Sequence, residues 1–247
     1  MRGNDMPGVE GAAARQRGRY GIDAPSVALG LSLGATGLAG AGLALGAPTM
    51  ILGSLVMAAS VASFVFTTRV GKFQLWRALL AGLPLDGDER VLDLGCGRGA
   101  VLTMVAQLVP SGRAVGVDLW RSADQSGNTK GAARRNAERE RVAERVDLHT
   151  ADMRKLPFED ECFDVVVSSL ALHNLADRED RRAALAEASR VLHSDGRLLI
   201  ADIKAVGEYA AGLRELGMVD VTTRRLGWRG WYGGPWMAMS AVTARKA

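Results

Sequence analysis

Cysteine and histidine are scarce, with two cysteines (Cys96 and Cys162) and three histidines in 247 residues. Two thiols close at most one bridge, and a zinc site needs three or four soft ligands at short spacing. A disulfide-stapled fold and a Cys/His metal framework are therefore both excluded, and no metal ligands are expected. The chain reads as one for a reducing compartment. Aromatics are few at 5%, yet of the five tryptophans all but Trp76 fall at Trp120, Trp228, Trp231 and Trp236. With 48% apolar and 23% charged residues the composition excludes disorder, and no repeat or low-complexity tract is present. The net charge of +4 is modest, so no nucleic-acid partner is expected.

Charge itself is missing from one long stretch: none occurs between Asp23 and Arg69, a run of 45 residues. A single helix of that length would reach about 67 Å, whereas a bilayer core is about 30 Å thick. Two spans joined by a turn at Gly46-Ala47-Pro48 fit better, over 25–45 and 48–67, each opening on a proline whose missing N–H costs nothing there. The run is too long and starts too late for a secretory signal. Arg15, Arg17 and Arg19 precede it and Arg69, Lys72 and Arg77 follow it. Basic flanks on both sides predict a multi-pass hairpin with both ends, and hence the following domain, in the cytoplasm. Gly30-xxx-Gly34 and Gly42-xxx-Gly46 allow close helix packing, either within the hairpin or between two copies in a homodimer. The expected organisation is a flexible cytoplasmic tail over 1–23, the hairpin over 24–68, a linker helix over 69–88 and a catalytic domain over 89–247.

From Glu89 onward strand-like and helix-like segments alternate, the pattern of βαβ units on a parallel sheet. Strands are predicted over 90–95, 114–119, 146–150, 163–168 and 197–203, with helices over 100–108, 130–142, 178–191 and 208–216 between or after them. Two more strands, 219–225 and 237–244, lack a full helix between them and suggest an antiparallel hairpin at a sheet edge. The first strand runs straight into Gly95-Cys96-Gly97-Arg98-Gly99, glycines that let backbone approach a ligand. Acidic residues stand at three strand ends, Asp93, Asp118 and Asp152. In open α/β sheets those ends form the ligand crevice, and an acid about 20 positions past the glycines can accept both hydroxyls of a ribose. Asp118 has that spacing. Gly95-x-Gly97-x-x-Ala100 also satisfies a loose dinucleotide fingerprint, which leaves an NAD-dependent reductase open at this point.

Five words, VLDLGCGRG, GVDLW, TADMRKLPF, FDVVVSSLALHNL and RVLHSDGRLLIADI, stand in one order between positions 91 and 203. Through them the chain from 89 to 247 resembles the class I S-adenosylmethionine-dependent methyltransferases, most closely the small-molecule and quinone methyltransferase branch. The resemblance implies an α/β, Rossmann-like seven-stranded sheet in the order 3-2-1-4-5-7-6 with the last strand antiparallel, here preceded by two transmembrane helices. It implies S-adenosylmethionine as cofactor. Asp93, Gly95 and Gly97 would surround the methionine part, Asp118 the ribose, Leu119 or Trp120 a face of the adenine and Asp152 with Met153 its edge. Ser168 or Ser169 would flank the methionine end. His193-Ser194-Asp195-Gly196 departs from the family's usual Lys-Pro-Gly-Gly turn, and the polar loop 124–129 is unusual.

Methyl transfer needs alignment and exclusion of water, with a base only where the acceptor is a hydroxyl or an acidic carbon. His173, just past the fourth strand, is the catalytic candidate. Gln125 and Asn128 in the polar loop, His173 with Asn174, and Trp231 with Tyr232 are the candidate acceptor-binding residues. The segment 224–236 interleaves arginine with tryptophan, and no acidic residue follows Asp220. It suits an interfacial belt on anionic headgroups, a cover over the acceptor pocket, or a plain edge loop. The expected protein is thus a membrane-tethered methyltransferase acting on a small apolar acceptor, a lipid or quinol. The alternatives are a cofactor-binding membrane scaffold without catalysis and the reductase.

Overall fold

A computed structural model of the chain describes residues 16–121 and 125–247. Two apolar helices come first, α1 (Pro25–Leu45) and α2 (Pro48–Phe66). Gly46 adopts a left-handed conformation and its N–H caps Gly42, which turns the chain between them. The helices pair with each other: a Cβ on Gly34 would meet Met57 Sδ at 2.7 Å, one on Gly42 would meet Ile51 at 2.8 Å, and Ser54 Oγ donates to Ala35 O at 2.8 Å. Both helices are long and apolar enough to cross a membrane. Their outer faces, including Leu29, Leu33, Leu43, Leu52 and Leu55, are exposed, so nothing in the described chain covers them.

One π-turn, Thr67–Gly71, carries the backbone from α2 into α3 (Lys72–Leu80). The helix expected within 69–88 forms at Lys72–Leu80 and packs against the domain. Phe73, Trp76, Leu79 and Leu80 recur at helical spacing and are buried in the domain core, with Trp76 fully enclosed.

Then follow β1 (Arg90–Leu94), α4 (Ala100–Leu108), β2 (Arg113–Asp118), α5 (Lys130–Arg139), β3 (Val146–Thr150), β4 (Phe163–Ser169), α6 (Arg178–Val191), β5 (Leu192–Asp202), α7 (Val206–Glu215), β6 (Val219–Arg225) and β7 (Ser240–Arg245). They form a seven-stranded sheet in the order β3-β2-β1-β4-β5-β7-β6, with β7 antiparallel to both neighbours. The sheet is covered on both faces, so β1 is buried along four of its five residues and β4 along most of its length, as parallel strands require. Boundaries differ from expectation by three residues or more in three places. Strand β5 starts at Leu192 because Leu192 pairs with Phe163, and the His193-Ser194-Asp195-Gly196 stretch, with Asp195 at a positive φ of 66°, forms an irregularity before Arg197 pairs with Val165. Helix α5 stops at Arg139 because Arg141 takes a positive φ of 60°. Strand β7 starts at Ser240 because Pro235–Met237 forms a 3-10 turn.

The tail expectation also needs correction where the chain is described, at 16–23. Arg17 N and Gly18 N donate to Glu140 Oε1 at 2.8 and 2.7 Å, so this segment is tied to the end of α5. Tyr20 is buried, shares a hydrogen bond with Thr103 Oγ1 at 2.8 Å and packs on Phe73. Residues 1–15, with Arg15, and Asp124 of the polar loop lie outside the described residues.

Candidate active site

At the carboxyl end of β1 the backbone turns sharply, with Gly95, Gly97 and Gly99 at φ of 69°, 52° and 80°. Gly95 N and Cys96 N donate to Val117 O, which closes the turn against β2. A Cβ on Gly95 would lie 2.2 Å from the Ala171 Cβ, so only glycine fits. Asp118, at the end of β2, accepts from Gly97 N at 2.8 Å, Trp120 N at 2.5 Å and Asn128 Nδ2 at 3.2 Å. The carboxylate thereby organises the glycine turn it faces.

A cavity of about 220 Å³ opens over these strand ends. Asp93, Gly95, Gly97, Asp118, Leu119, Asp152, Met153, Ser169, His173 and Asn174 all line it, as do Gln125, Asn128 and Tyr232. The sequence-predicted set is brought together with three exceptions. Ser168 is fully buried and donates to Leu94 O at 2.8 Å, so its hydroxyl faces into the sheet and the wall position belongs to Ser169. Trp120 takes a positive φ of 57° and its indole N–H donates to Thr150 Oγ1, which places it outside the lining and leaves Leu119 as the member of the pair on the cavity wall. Trp231 contributes its carbonyl instead of its ring: Ser63 Oγ and Thr67 Oγ1 both donate to it, at 2.9 and 2.8 Å.

Those bonds bind the 228–236 segment to the foot of α2, where Phe66 also stacks on Trp228 at 5.3 Å. The segment is not a plain edge loop, because it is bonded to the foot of the apolar hairpin.

Asp93 is buried, and among the described residues neither carboxylate oxygen makes a hydrogen bond of good geometry. Burial first, and then the Asp118 carboxylate, push its pKa up to about 8, against a weaker opposing pull from the nearby Leu102 amide. Asp152 is in the opposite state. Arg154 grips it at 2.6 Å and holds it below the usual carboxylate range. Burial raises the Cys96 thiol well above its ordinary value, consistent with a packing role.

His173 Nδ1 lies 2.5 Å from Asp202 Oδ1 at the end of β5. Asp202 is fully buried and also accepts from Ile203 N, His173 N and Tyr209 OH. Both of its oxygens are engaged as acceptors, so Nδ1 is the donor and Nε2 is the nitrogen available for chemistry.

Sequence reasoning missed Asp202, Asp23 and Lys72. Lys72 Nζ bonds Asp23 Oδ2 at 2.6 Å, and Asp23 also accepts from Tyr232 OH at 2.9 Å and Gln125 Nε2 at 3.0 Å. Asp23, Ala24, Val27, Phe64 and Lys72, all from the hairpin and its ends, line the same cavity as the glycine turn.

A glycine cradle, an acid aligned for a ribose and an unpaired buried carboxylate fit S-adenosylmethionine, whose ammonium Asp93 would meet. The fold and site thus define the class I methyltransferase type. A profile described as a methyltransferase domain matches residues 92–200. A protein of Haemophilus influenzae without an assigned function is 31% identical over 179 residues, covering 68% of this chain and 67% of that one. The ubiquinone/menaquinone biosynthesis C-methyltransferase UbiE of a Ruegeria species is 32% identical over 132 residues, covering 53% of this chain and 49% of that one. The chain thus spans about half the length of that quinone methyltransferase. Among solved structures, geranyl diphosphate C-methyltransferase of Streptomyces coelicolor, in complex with S-adenosylhomocysteine, aligns with a TM-score of 0.57 at 16% identity over 71% of this chain and 79% of that one. The chain carries a class I S-adenosylmethionine-dependent methyltransferase domain.

Proposed function

We propose that the protein transfers the methyl group of S-adenosylmethionine to an apolar, membrane-borne acceptor, a lipid or quinol, from the cytoplasmic side of a bilayer spanned by α1 and α2. The observation that carries this reading is the continuity of one cavity from Gly95, Gly97 and Asp118 to Ala24, Val27 and Phe64 at the foot of the apolar helices. An acceptor held among lipid chains then reaches the reacting end without crossing water. The names of relatives in quinone biosynthesis agree with such an acceptor. Trp228, Arg229 and the exposed Trp236 stand beside the same foot, where indole and guanidinium groups suit a headgroup layer.

The cofactor supplies a methyl group on a sulfonium, and its displacement removes positive charge. The chain's contribution is alignment and exclusion of water. Asp118 and the glycine turn fix the cofactor end, while Leu170, Ala171, Leu175 and Ile203 give the acceptor end an apolar wall. Where the acceptor presents a hydroxyl or an acidic carbon, His173 Nε2 takes its proton and Asp202 stabilises the resulting imidazolium. Incubating the full chain with methyl-labelled S-adenosylmethionine and a membrane lipid extract, followed by mass spectrometry, tests the reading. Label in a lipid-soluble product is expected. Cofactor binding without any transferred label would favour a non-catalytic scaffold instead.

A further inference from the structure

Within the cavity two groups of opposite charge are left short of partners. Asp93 is the first, with both oxygens unpaired. Lys72 is the second. It is 4% exposed, and among the described residues its ammonium, which carries three donors, makes a single hydrogen bond, to Asp23 Oδ2 at 2.6 Å. The Phe73 ring at 5.6 Å adds only a weak cation–π contact. A buried ammonium with donors unspent costs free energy unless a ligand completes its shell.

We propose that Lys72 receives the α-carboxylate of the bound cofactor, forming with Asp93 a two-pole station for the amino-acid zwitterion. This rests on the reading of the cavity as a S-adenosylmethionine site. An α-amino acid is the ligand chemistry that presents an ammonium and a carboxylate on one carbon, and so satisfies both groups at once. A chain of contacts places Lys72 at the correct end. The Gln125 amide oxygen lies 2.7 Å from where a Gly97 Cβ would stand, its Nε2 donates to Asp23, and Asp23 holds Lys72. Asp23 is fixed in turn by Tyr232 OH, which makes it a positioning residue for the lysine. Lys72 is the first residue of α3, directly after the π-turn that ends α2, so the hairpin itself delivers this cation to the cofactor.

The test is calorimetric titration of the full chain in detergent with S-adenosylhomocysteine and with its decarboxylated analogue. Wild type should bind the carboxylate-bearing compound at least tenfold more tightly. Lys72→Met should weaken S-adenosylhomocysteine on the order of 10- to 100-fold, as for a lost bond to a charged group, while the decarboxylated analogue changes less than about threefold. Equal weakening of both ligands in the variant would mark a merely structural lysine and overturn the assignment, as would unchanged binding of S-adenosylhomocysteine. Equal affinity of wild type for the two compounds overturns it whether or not the variant folds. Failure of wild type to bind either compound would instead sink the cofactor reading on which the assignment stands.

Discussion

Asp93 makes cofactor binding a proton-linked event. With a pKa pushed up to about 8 by burial and by Asp118, the carboxyl is mostly protonated in the free protein at pH 7. A ligand carrying an ammonium favours the ionised form, so binding expels the proton. The affinity for S-adenosylhomocysteine should therefore rise about 50-fold between pH 6 and pH 8 and flatten above it, with ~0.9 proton released per ligand at pH 7. Titrations in two buffers of different protonation enthalpy measure that release directly. The same group acts on stability with a definite sign. Its folded pKa lies above the unfolded value of 3.8, so this group's contribution to the stability of the free protein is fully present below about pH 4 and is lost as pH climbs to about 8. The limit of that loss is roughly 5 to 6 kcal/mol at ~1.4 kcal/mol per pH unit. Asp93→Asn isolates both effects, because asparagine does not titrate. A flat affinity in wild type from pH 6 to 8, or an identical slope in Asp93→Asn, would mean that Asp93 is not the linked group.

Three further outcomes follow, two at the cavity wall and one at the carboxylate behind His173. Asp118→Ala removes the acceptor for Gly97 N, Trp120 N and Asn128 Nδ2. Cofactor affinity should fall by ~1.5 to 3 kcal/mol, about 10- to 150-fold by calorimetry, and wild-type affinity would discredit the placement of the ribose. His173→Gln should lower turnover on the order of 10²- to 10⁴-fold at saturating cofactor while leaving cofactor affinity unchanged, if the acceptor must lose a proton. Asp202→Asn should lower turnover at least tenfold with cofactor affinity unchanged, because the imidazole loses the acceptor that orients it and its counter-charge. Unchanged turnover would separate Asp202 from the chemistry.

Periodicity and strand-end acids made most of this architecture legible. The uncharged run set the two apolar helices to within a residue, and the alternation after Glu89 set every strand of the sheet, because buried parallel strands and their crossover helices each carry a local signature. What local pattern cannot carry is contact between distant segments. Tyr20 meets Thr103, and Asp23 meets Tyr232, 209 positions away, so residues 16–23 look like a tail until their partners are in place. Ser168 and Ser169 differ only in the parity of the strand, and the pleat sends one hydroxyl to Leu94 and the other to the cavity wall. Trp120 left the lining because of a positive φ that nothing in its own side chain announces. Asp202 is a different kind of miss. It ends β5 as Asp93, Asp118 and Asp152 stand at or near other strand ends, and the parallel register pairing Ser169 with Ala201 brings it beside His173. The rule already applied to three strands would have found it on a fourth.

Lys72 shows how one charge can satisfy two readings. As a cation just beyond an apolar span it supports a cytoplasmic flank, and in the fold it is also a buried member of the site. A buried ion pair such as Asp23–Lys72 contributes little net stability once desolvation is counted, so its value lies in fixing geometry. The geometry it fixes joins three parts of the chain: the segment before α1, the helix after α2 and, through Tyr232, the loop before β7. A truncation at residue 68, which the sequence invites as a way to a soluble domain, would remove Asp23, Val27 and Phe64 from the cavity wall and Tyr20 from the core. It would also leave Lys72 buried without its carboxylate, the costliest state for such a group. The apolar hairpin is therefore a structural part of the cavity wall, and on the proposed function its position in a bilayer would set where the cavity mouth meets the acceptor.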